Sequence, residues 1–142
     1  MSSVHFSSKT DLWATPQNFF DKYNSIYKFE TDVCALPENG KCEKFFTPEQ
    51  DGLKQDWMGV CWMNPPYGRN IDKWVKKAYE ASIKGATVVC LLPARTDTRW
   101  WHEYCLKGDI EFIRGRIKFN GSKHNAPFPS AVVVFGKNKG IA

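Results

Sequence analysis

Residues 59–92 have the sequence GVCWMNPPYGRNIDKWVKKAYEASIKGATVVCLL, and this stretch decides the fold. The apolar residues of 59–64 predict a buried strand, which ends at Pro65-Pro66 because proline cannot donate a hydrogen bond to a sheet ladder. From residue 71 to about residue 84 the apolar positions recur at helical spacing. Residues 86–92 are apolar continuously rather than in alternation, as expected for a strand covered on both faces. Strand, helix and strand in this order indicate parallel strands with a covering helix.

The flanking sequence supplies the remaining elements. Further helices are predicted from Thr15-Pro16 through Ile26 and from Asp97 to Gly108. Further strands are predicted at residues 28–35, 43–47, 111–119 and 131–135. The predicted fold class is therefore α/β, with a mostly parallel sheet and a C-terminal antiparallel hairpin whose strands are joined by the loop GSKHNAPFPS.

Capping residues mark two of the helix starts. The Thr15 side chain can accept hydrogen bonds from the free amides of the first helix, with Pro16 as the first helical residue. Asn70 can cap the helix that begins at Ile71, and Gly85 is suited to end it.

Length and composition limit the class of protein. The 142 residues, 42% of them hydrophobic, are sufficient for one domain, which we place at residues 11–136 between flexible segments 1–10 and 137–142. The absence of an apolar run of about 20 residues excludes an integral membrane protein, and no secretory signal is predicted. Five scattered cysteines are typical of reduced thiols and predict a cytoplasmic location.

Charge and aromatic content allow a polyanionic partner. Lys and Arg number 20 against 15 Asp and Glu, which gives a net charge of +5. Six tryptophans favour an aromatic-lined pocket or a stacking platform. No set of cysteines and histidines has the spacing of a zinc site, so no metal is predicted.

The tetrapeptide Asn64-Pro65-Pro66-Tyr67 carries the chemistry. It directly follows a predicted strand, and open α/β sheets bind ligands at the carboxyl ends of their strands. The prolines fix a rigid turn that aims the Asn64 side chain and the neighbouring carbonyl oxygens. Such acceptors can hold a planar –NH2 group and free its lone pair to attack, while Tyr67 supplies a flat face for stacking.

NPPY in this context resembles the signature of S-adenosylmethionine-dependent amino-methyltransferases. The whole chain from about Trp13 to Phe135 resembles the phage-type DNA N6-adenine methyltransferase (Dam) family. The segments that carry this resemblance are, in order, WATPQNFF (13–20), FETDVCA (29–35), FFTPEQDGLKQDW (45–57), WMNPPYGRNIDKWVKKA (62–78), LLPARTDTRWWH (91–102), GRIKF (115–119) and APFPSA (126–131).

The resemblance implies a Rossmann-like methyltransferase sheet, S-adenosylmethionine as cofactor and double-stranded DNA as partner. It makes Asn64, Pro65, Pro66 and Tyr67 the catalytic motif. Asn64 and the Pro65 carbonyl would hold the N6 amino group of adenine, and Tyr67 would stack on a base that has been flipped out of the duplex.

The resemblance also assigns cofactor-binding residues. Asp32, at the end of the first predicted strand, would pair with the α-amino group of the cofactor. Trp13, Thr15 and Pro16 would form the N-terminal cofactor segment, in which the helix start at Thr15 would face the methionine carboxylate. Thr15 as a plain helix cap is an equal alternative. The remaining candidates, for the ribose hydroxyls and the adenine of the cofactor, are Glu49 and Asp51. The Gly-rich loop of many methyltransferases is replaced here by Val33-Cys34-Ala35, so the usual glycine positions assign no contacts.

Basic residues near the predicted strand ends are the candidates for DNA contact. Arg69 and Arg95 are favoured for phosphate binding, with Arg116 and His124 as further candidates. Phe128, in the basic loop 121–129, can pack against the flipped base or anchor the loop in the core.

Other substrates remain open at this stage. The same tetrapeptide resembles the motif of ribosomal-RNA and protein-glutamine amino-methyltransferases, and cytosine N4 presents similar chemistry. An inactive cofactor- or DNA-binding module is a reading from another class. The sequence also leaves open the recognition site, the oligomeric state (a homodimer among the alternatives) and the biological role, such as protection of a phage genome from restriction in the bacterial host cytoplasm.

Overall fold

The computed structural model describes residues 12–136, and the predicted flexible ends therefore lie almost entirely outside the described residues. Six strands alternate with three α-helices and two short 3-10 helices. The strands are β1 (Thr31–Asp32), β2 (Lys44–Phe45), β3 (Val60–Met63), β4 (Thr87–Pro93), β5 (Asp109–Phe112) and β6 (Ser130–Phe135). The α-helices are α1 (Gln17–Tyr27), α2 (Ile71–Ile83) and α3 (Arg99–Glu103), and the 3-10 helices are Gly52–Lys54 and Cys105–Lys107.

The six strands form one sheet in the order β2-β1-β3-β4-β6-β5. β2, β1, β3 and β4 are parallel, whereas β6 runs antiparallel to both of its neighbours, β4 and β5. The α/β class and the mostly parallel sheet with an antiparallel C-terminal pair are thus confirmed. Five strands end at the same side of the sheet, where β6 begins. We call this side the carboxyl edge.

Helices cover both faces of the sheet. Trp62 of β3 points to one face, where the Phe20 and Tyr23 rings of α1 lie 5.3 and 6.5 Å from its ring. Phe135 of β6 lies in register with Val88 and Cys61 on the other face, where the Tyr79 ring of α2 packs 6.0 Å from it. Coverage on both sides explains why β4 and β6 are buried at every position.

Several strands are shorter than predicted. In the predicted strands 28–35 and 43–47, only Thr31–Asp32 and Lys44–Phe45 pair, partly because Lys28 ends α1 with a left-handed backbone (φ 58°). The predicted strand 111–119 leaves the sheet after Phe112. Its alternating pattern has another cause, since Ile117 and Phe119 are buried while Lys118 between them is exposed. The turn at Gly115 (φ 80°) directs this segment out of the sheet.

The helix starts also differ from the predictions. α1 begins at Gln17 with Pro16 as its N-cap residue, and the Thr15 hydroxyl accepts from Asn64 instead of capping the helix, so the predicted Thr15 cap is wrong. Asn70 occupies the N-cap position of α2 but makes no side-chain capping bond, so that prediction is wrong as well. The helix expected from Asp97 begins at Arg99, after Thr98, whose hydroxyl accepts from the Trp101 amide. None of the helices within residues 12–136 is long and apolar enough to cross a membrane.

A substitution at Val133 tests how much the interior position of β6 contributes to the stability of the sheet. It is fully buried and lies between Cys90 of β4 and Ile110 of β5. We expect Val133→Ala to lower the free energy of unfolding by about 2 kcal/mol, because two methyl groups are lost and a cavity remains. The matched control is Val60→Ala at the half-buried start of β3, for which we expect less than half that loss. Urea denaturation measures both, and equal losses would contradict the interior role of β6.

Candidate active site

The strand order places a cleft between β1 and β3. From β1 the chain continues to β2 on one side, and β3 then pairs on the other side, so the sheet reverses its direction of growth at this point. Ligands of open α/β sheets bind outside the carboxyl ends of the strands at such a switch point. Here Asp32 ends β1, and Asn64 directly follows β3.

A pocket of about 440 Å³ lies at this switch point. Its volume is within the range of small-molecule and cofactor sites. The lining residues come from the N-terminal segment, the end of β1, the loops around β2 and the end of β3; they include Trp13, Thr15, Asp32, Lys41, Phe46, Asp51, Leu53, Asn64, Pro65, Pro66, Trp74 and Asn120.

The Asn64 side chain is held in one orientation. Its Nδ2 donates to the Trp13 carbonyl and, at 2.8 Å, to the Thr15 Oγ1. Because a carbonyl can only accept, the atom facing Trp13 must be the amino nitrogen, which fixes the direction of the amide. The Asn64 Oδ1 is left buried without a hydrogen-bond partner. A buried acceptor without a donor costs free energy, so a donor that reaches it is favoured to bind.

Tyr67 stands apart from the pocket lining, in a cluster of aromatic rings. Its ring is 2% exposed and stacks on Trp13, with centroids 6.5 Å apart and planes 24° apart. Phe119 and Phe128 pack edge-on against it at 6.2 and 5.6 Å. The Tyr67 hydroxyl donates to the Leu91 carbonyl at 2.9 Å, and burial raises its pKa well above the usual value. We call these four residues the aromatic cluster.

Asp32 is a buried carboxyl at the pocket wall. Its Oδ1 accepts from the Cys34 amide at 3.2 Å and its Oδ2 from the Lys41 amide at 3.1 Å. The side chain is only 3% exposed, and burial raises its pKa to about 7 although the two amide bonds act in the opposite direction. A cation placed beside it would therefore be attracted strongly and would favour its ionised form.

Only some of the other predicted cofactor residues line the pocket. Trp13, Thr15 and Asp51 line the pocket, whereas Glu49 is exposed and, like Pro16, lies outside the lining. The Asp51 carboxylate accepts from the Leu53 amide at 3.1 Å at the start of the first 3-10 helix. A Cβ on Gly52 would lie 2.2 Å from the Val33 carbonyl oxygen, so this turn can approach the end of β1 only with glycine there.

Sequence reasoning missed further residues of the pocket, among them Lys41 and Asn120. Lys41 lines it and donates from its Nζ to the Gln17 side chain at 2.9 Å, and burial lowers its pKa. Asn120 donates from its amide to the Ala14 carbonyl at 2.9 Å and from its side chain to the Thr15 carbonyl at 3.3 Å. Both residues reach the pocket from irregular segments, where neither periodicity nor a motif marks them.

The predicted DNA-contacting residues lie at the carboxyl edge. Arg69 follows β3 and Arg95 follows β4, while Arg116 and His124 belong to the segment 113–129 between β5 and β6. That segment contains four Lys or Arg residues and no Asp or Glu. Phe128 instead packs within the aromatic cluster, 5.1 Å from Trp13. We call Arg69, Arg95 and the Lys and Arg residues of segment 113–129 the basic edge.

Within residues 12–136, no three His, Cys, Asp or Glu side chains come together in a way that could hold a metal ion.

Comparison with known proteins places the chain among viral and bacterial methyltransferases. It is 37% identical over 119 residues to a DNA N-6-adenine-methyltransferase of Haemophilus phage HP1, which covers 79% of this chain and 68% of the relative. It is 40% identical over 150 residues to a DNA N-6-adenine-methyltransferase of Escherichia phage T1, covering 92% of this chain and 60% of the relative. A putative methyltransferase of Escherichia coli, YfdM, is 34% identical over 65 residues, or 40% of this chain and 71% of that protein.

The chain thus spans about two thirds of the length of the two phage relatives. The model of the family described as DNA N-6-adenine-methyltransferase (Dam) matches residues 2–139, nearly the full length. The chain belongs to the DNA N-6-adenine-methyltransferase (Dam) family.

Proposed function

We propose that this protein transfers a methyl group from S-adenosylmethionine to the N6 amino group of adenine in double-stranded DNA, with the end of β3 as its catalytic site. The observation that carries this assignment is the buried, unpartnered Asn64 Oδ1 on a residue that lines the pocket. Family membership supports the reaction and the substrate, and the geometry supports the residues.

An amino group is the substrate that fits the free Asn64 acceptor. The N6 nitrogen of adenine is planar and offers two hydrogens to acceptors. Asn64 Oδ1 would accept one of them, and the carbonyl of Pro65, which also lines the pocket, would accept the other. Holding both hydrogens draws the nitrogen toward tetrahedral geometry and localises its lone pair for attack. Because Asn64 is neutral, the surplus proton would pass to water after transfer.

The base must leave the duplex to reach this acceptor, and we propose that it then stacks on the Tyr67 ring of the aromatic cluster. Extrusion of a nucleotide costs a few kcal/mol, which stacking in the enzyme offsets in part. The Tyr67 ring is at present covered by Trp13 and Phe128. For the base to stack on Tyr67, at least one of these two rings would have to move.

The pocket beside Asn64 fits a cofactor with a cationic amino group and a flat base. Asp32 would pair with the α-amino group, while Trp13 and Phe46 supply apolar surface and Asp51 supplies acceptors for hydroxyl groups. Bound there, S-adenosylmethionine would supply an activated methyl group without any metal. The switch point between β1 and β3 supports a Rossmann-like assignment for the sheet.

The basic edge supports duplex DNA as the partner. Parallel strand ends bring Arg69, Arg95 and the acid-free segment 113–129 to the side of the sheet where Asn64 lies. Cations at this position would bind phosphates and set the register of the duplex over the pocket. We propose a cytoplasmic location, which is the cytoplasm of the bacterial host if a phage encodes the protein. A second subunit could share the reading of the DNA sequence.

Transfer of labelled methyl groups from S-adenosylmethionine to unmethylated duplex DNA tests the proposal, with the modified nucleoside identified by mass spectrometry. We expect N6-methyladenine from the wild-type protein. Asn64→Ala should lower kcat by roughly 10²–10³-fold, because the acceptor that organises the amino group is lost, while cofactor binding changes little. The matched control is Asn18→Ala on the exposed side of α1, which should keep full activity.

Each other outcome favours a different function. N4-methylcytosine would change the target base. Labelled methyl groups in RNA or in a protein amide, with none in DNA, would indicate a different class of substrate. Cofactor binding without transfer to any of these would favour an inactive binding module, and near-normal turnover by Asn64→Ala would refute the role of Asn64.

Cofactor binding should depend on pH through Asp32. Its pKa of about 7 in the free protein means that the carboxyl is largely protonated below that pH, and pairing with the cationic amino group requires it to be ionised. We therefore expect the affinity for S-adenosylmethionine to rise between about pH 5 and pH 7, by up to about tenfold per pH unit, with release of a proton on binding. Titration calorimetry in two buffers of different ionisation enthalpy measures both effects.

Asp32→Asn is the control for this titration. This variant should bind S-adenosylmethionine more weakly at pH 7, and its affinity should no longer depend on pH. An affinity that still depends on pH would assign the titration to another group.

The raised pKa of Asp32 also predicts how the stability of the protein changes with pH. The folded state holds a proton that the unfolded state has released, so the contribution of Asp32 to stability falls as the pH rises from about 4 through 7.

DNA binding should depend on salt through the basic edge. Arg69→Ala and Arg116→Ala should each weaken binding to an unmethylated duplex and reduce the slope of log Kd against log salt concentration by about 1. Lys84→Ala, at the end of α2 on the opposite side of the sheet, is the control and should leave the slope unchanged. Fluorescence anisotropy at several salt concentrations measures the slopes, and unchanged slopes for both arginine variants would place the duplex elsewhere.

A further inference from the structure

Two groups of the N-terminal segment accept hydrogen bonds from the side-chain amino group of Asn64, one for each of its hydrogens. The Trp13 carbonyl and the Thr15 Oγ1 accept them, although these residues lie 51 and 49 positions earlier in the chain. Thr15 is 4% exposed and precedes Pro16, which occupies the N-cap position of α1. The hydroxyl of Thr15 is therefore directed at Asn64 rather than at its own helix.

The segment that carries these acceptors is itself anchored. Asn120 donates from its backbone amide to Ala14 and from its side chain to the Thr15 carbonyl, at 2.9 and 3.3 Å. Trp13 packs against Phe119 at 5.4 Å. The acceptors facing Asn64 thus have a fixed position relative to the end of β3.

The direction of the Asn64 amide decides whether the site can hold an amino group. A side-chain amide has an acceptor at one end and a donor at the other, and the two ends are nearly equal in size. If the amide turned over, its –NH2 would face the amino group of the substrate, and two donors would oppose each other. The Trp13 carbonyl selects the end of the amide that faces it, and the second bond, to the Thr15 hydroxyl, restrains rotation of the Asn64 side chain.

We propose that Thr15 is a positioning residue, whose hydroxyl, together with the Trp13 carbonyl, holds Asn64 with Oδ1 presented to the amino group to be methylated. This role rests on the proposed function of Asn64. It differs from the contact with the cofactor carboxylate implied by the family resemblance, because Thr15 acts through Asn64. It also makes the N-terminal segment part of the catalytic arrangement.

Matched substitutions separate the hydroxyl from the rest of the Thr15 side chain. Thr15→Val keeps the shape and removes the hydroxyl, whereas Thr15→Ser keeps the hydroxyl and removes the methyl group. With saturating cofactor and DNA, we expect Thr15→Val to lower the rate of methyl transfer in a single turnover by roughly tenfold or more, as expected for the loss of a buried hydrogen bond. Thr15→Ser should restore most of the rate, and the Kd for the cofactor should stay within about threefold in both variants.

A double-mutant cycle tests whether Thr15 acts through Asn64. If it does, Thr15→Val in the Asn64→Ala background should cost little further rate. Full additivity would overturn the proposal. A normal single-turnover rate with weakened cofactor binding would overturn it in favour of a direct cofactor contact, and equal losses in the Val and Ser variants would assign the effect to packing.

A measurement without methylation keeps this proposal separate from the proposed function. In ¹⁵N-labelled protein, the side-chain amide signals of Asn64 are those that disappear in Asn64→Ala. We expect slow exchange of these hydrogens with solvent in the wild type and in Thr15→Ser, and faster exchange in Thr15→Val. Unchanged exchange in Thr15→Val would refute the positioning contact whether or not the protein methylates DNA.

Discussion

The pairing of β1 with β3 is the constraint on which the site depends. Asp32 lies in register with Trp62, and the Val33 amide continues the ladder by donating to the Trp62 carbonyl at 3.0 Å. This register brings the buried carboxyl at the end of one strand and the amide after the other to the same pocket. A shift of one residue would turn the Asp32 side chain to the opposite face of the sheet.

Burial affects the two polar side chains of the pocket, Asp32 and Asn64, in different ways. At Asp32 a charge is removed from water and is stabilised mainly by backbone amides, which leaves it receptive to a cation. At Asn64 the donor half of the amide is satisfied and the acceptor half is not. In the function proposed above, the cofactor would supply the partner for Asp32 and the base would supply the partner for Asn64.

Local patterns were sufficient for the elements that govern the centre of the sheet. The strand before NPPY, the amphipathic helix α2 and the apolar strand β4 follow from periodicity and from proline and glycine positions. Sequence reasoning failed where long-range contacts override local preference. Thr15 has the local signature of a helix cap, yet its hydroxyl serves a residue 49 positions away. Residues 115–119 alternate like a strand because Ile117 and Phe119 fill the core.

The order of the strands has a consequence for how the chain folds. β6 is the last strand along the described chain, but it lies between β4 and β5, and β5 has no other neighbour in the sheet. β5 can therefore join the sheet only through β6, and the pairing of β6 with β4 is non-local and therefore slow. Segment 113–129 connects β5 to β6, so its Asn120 contacts with Ala14 and Thr15 also depend on this step. Chains in which β6 has not paired with β4 therefore lack the contacts that anchor the N-terminal segment beside Asn64.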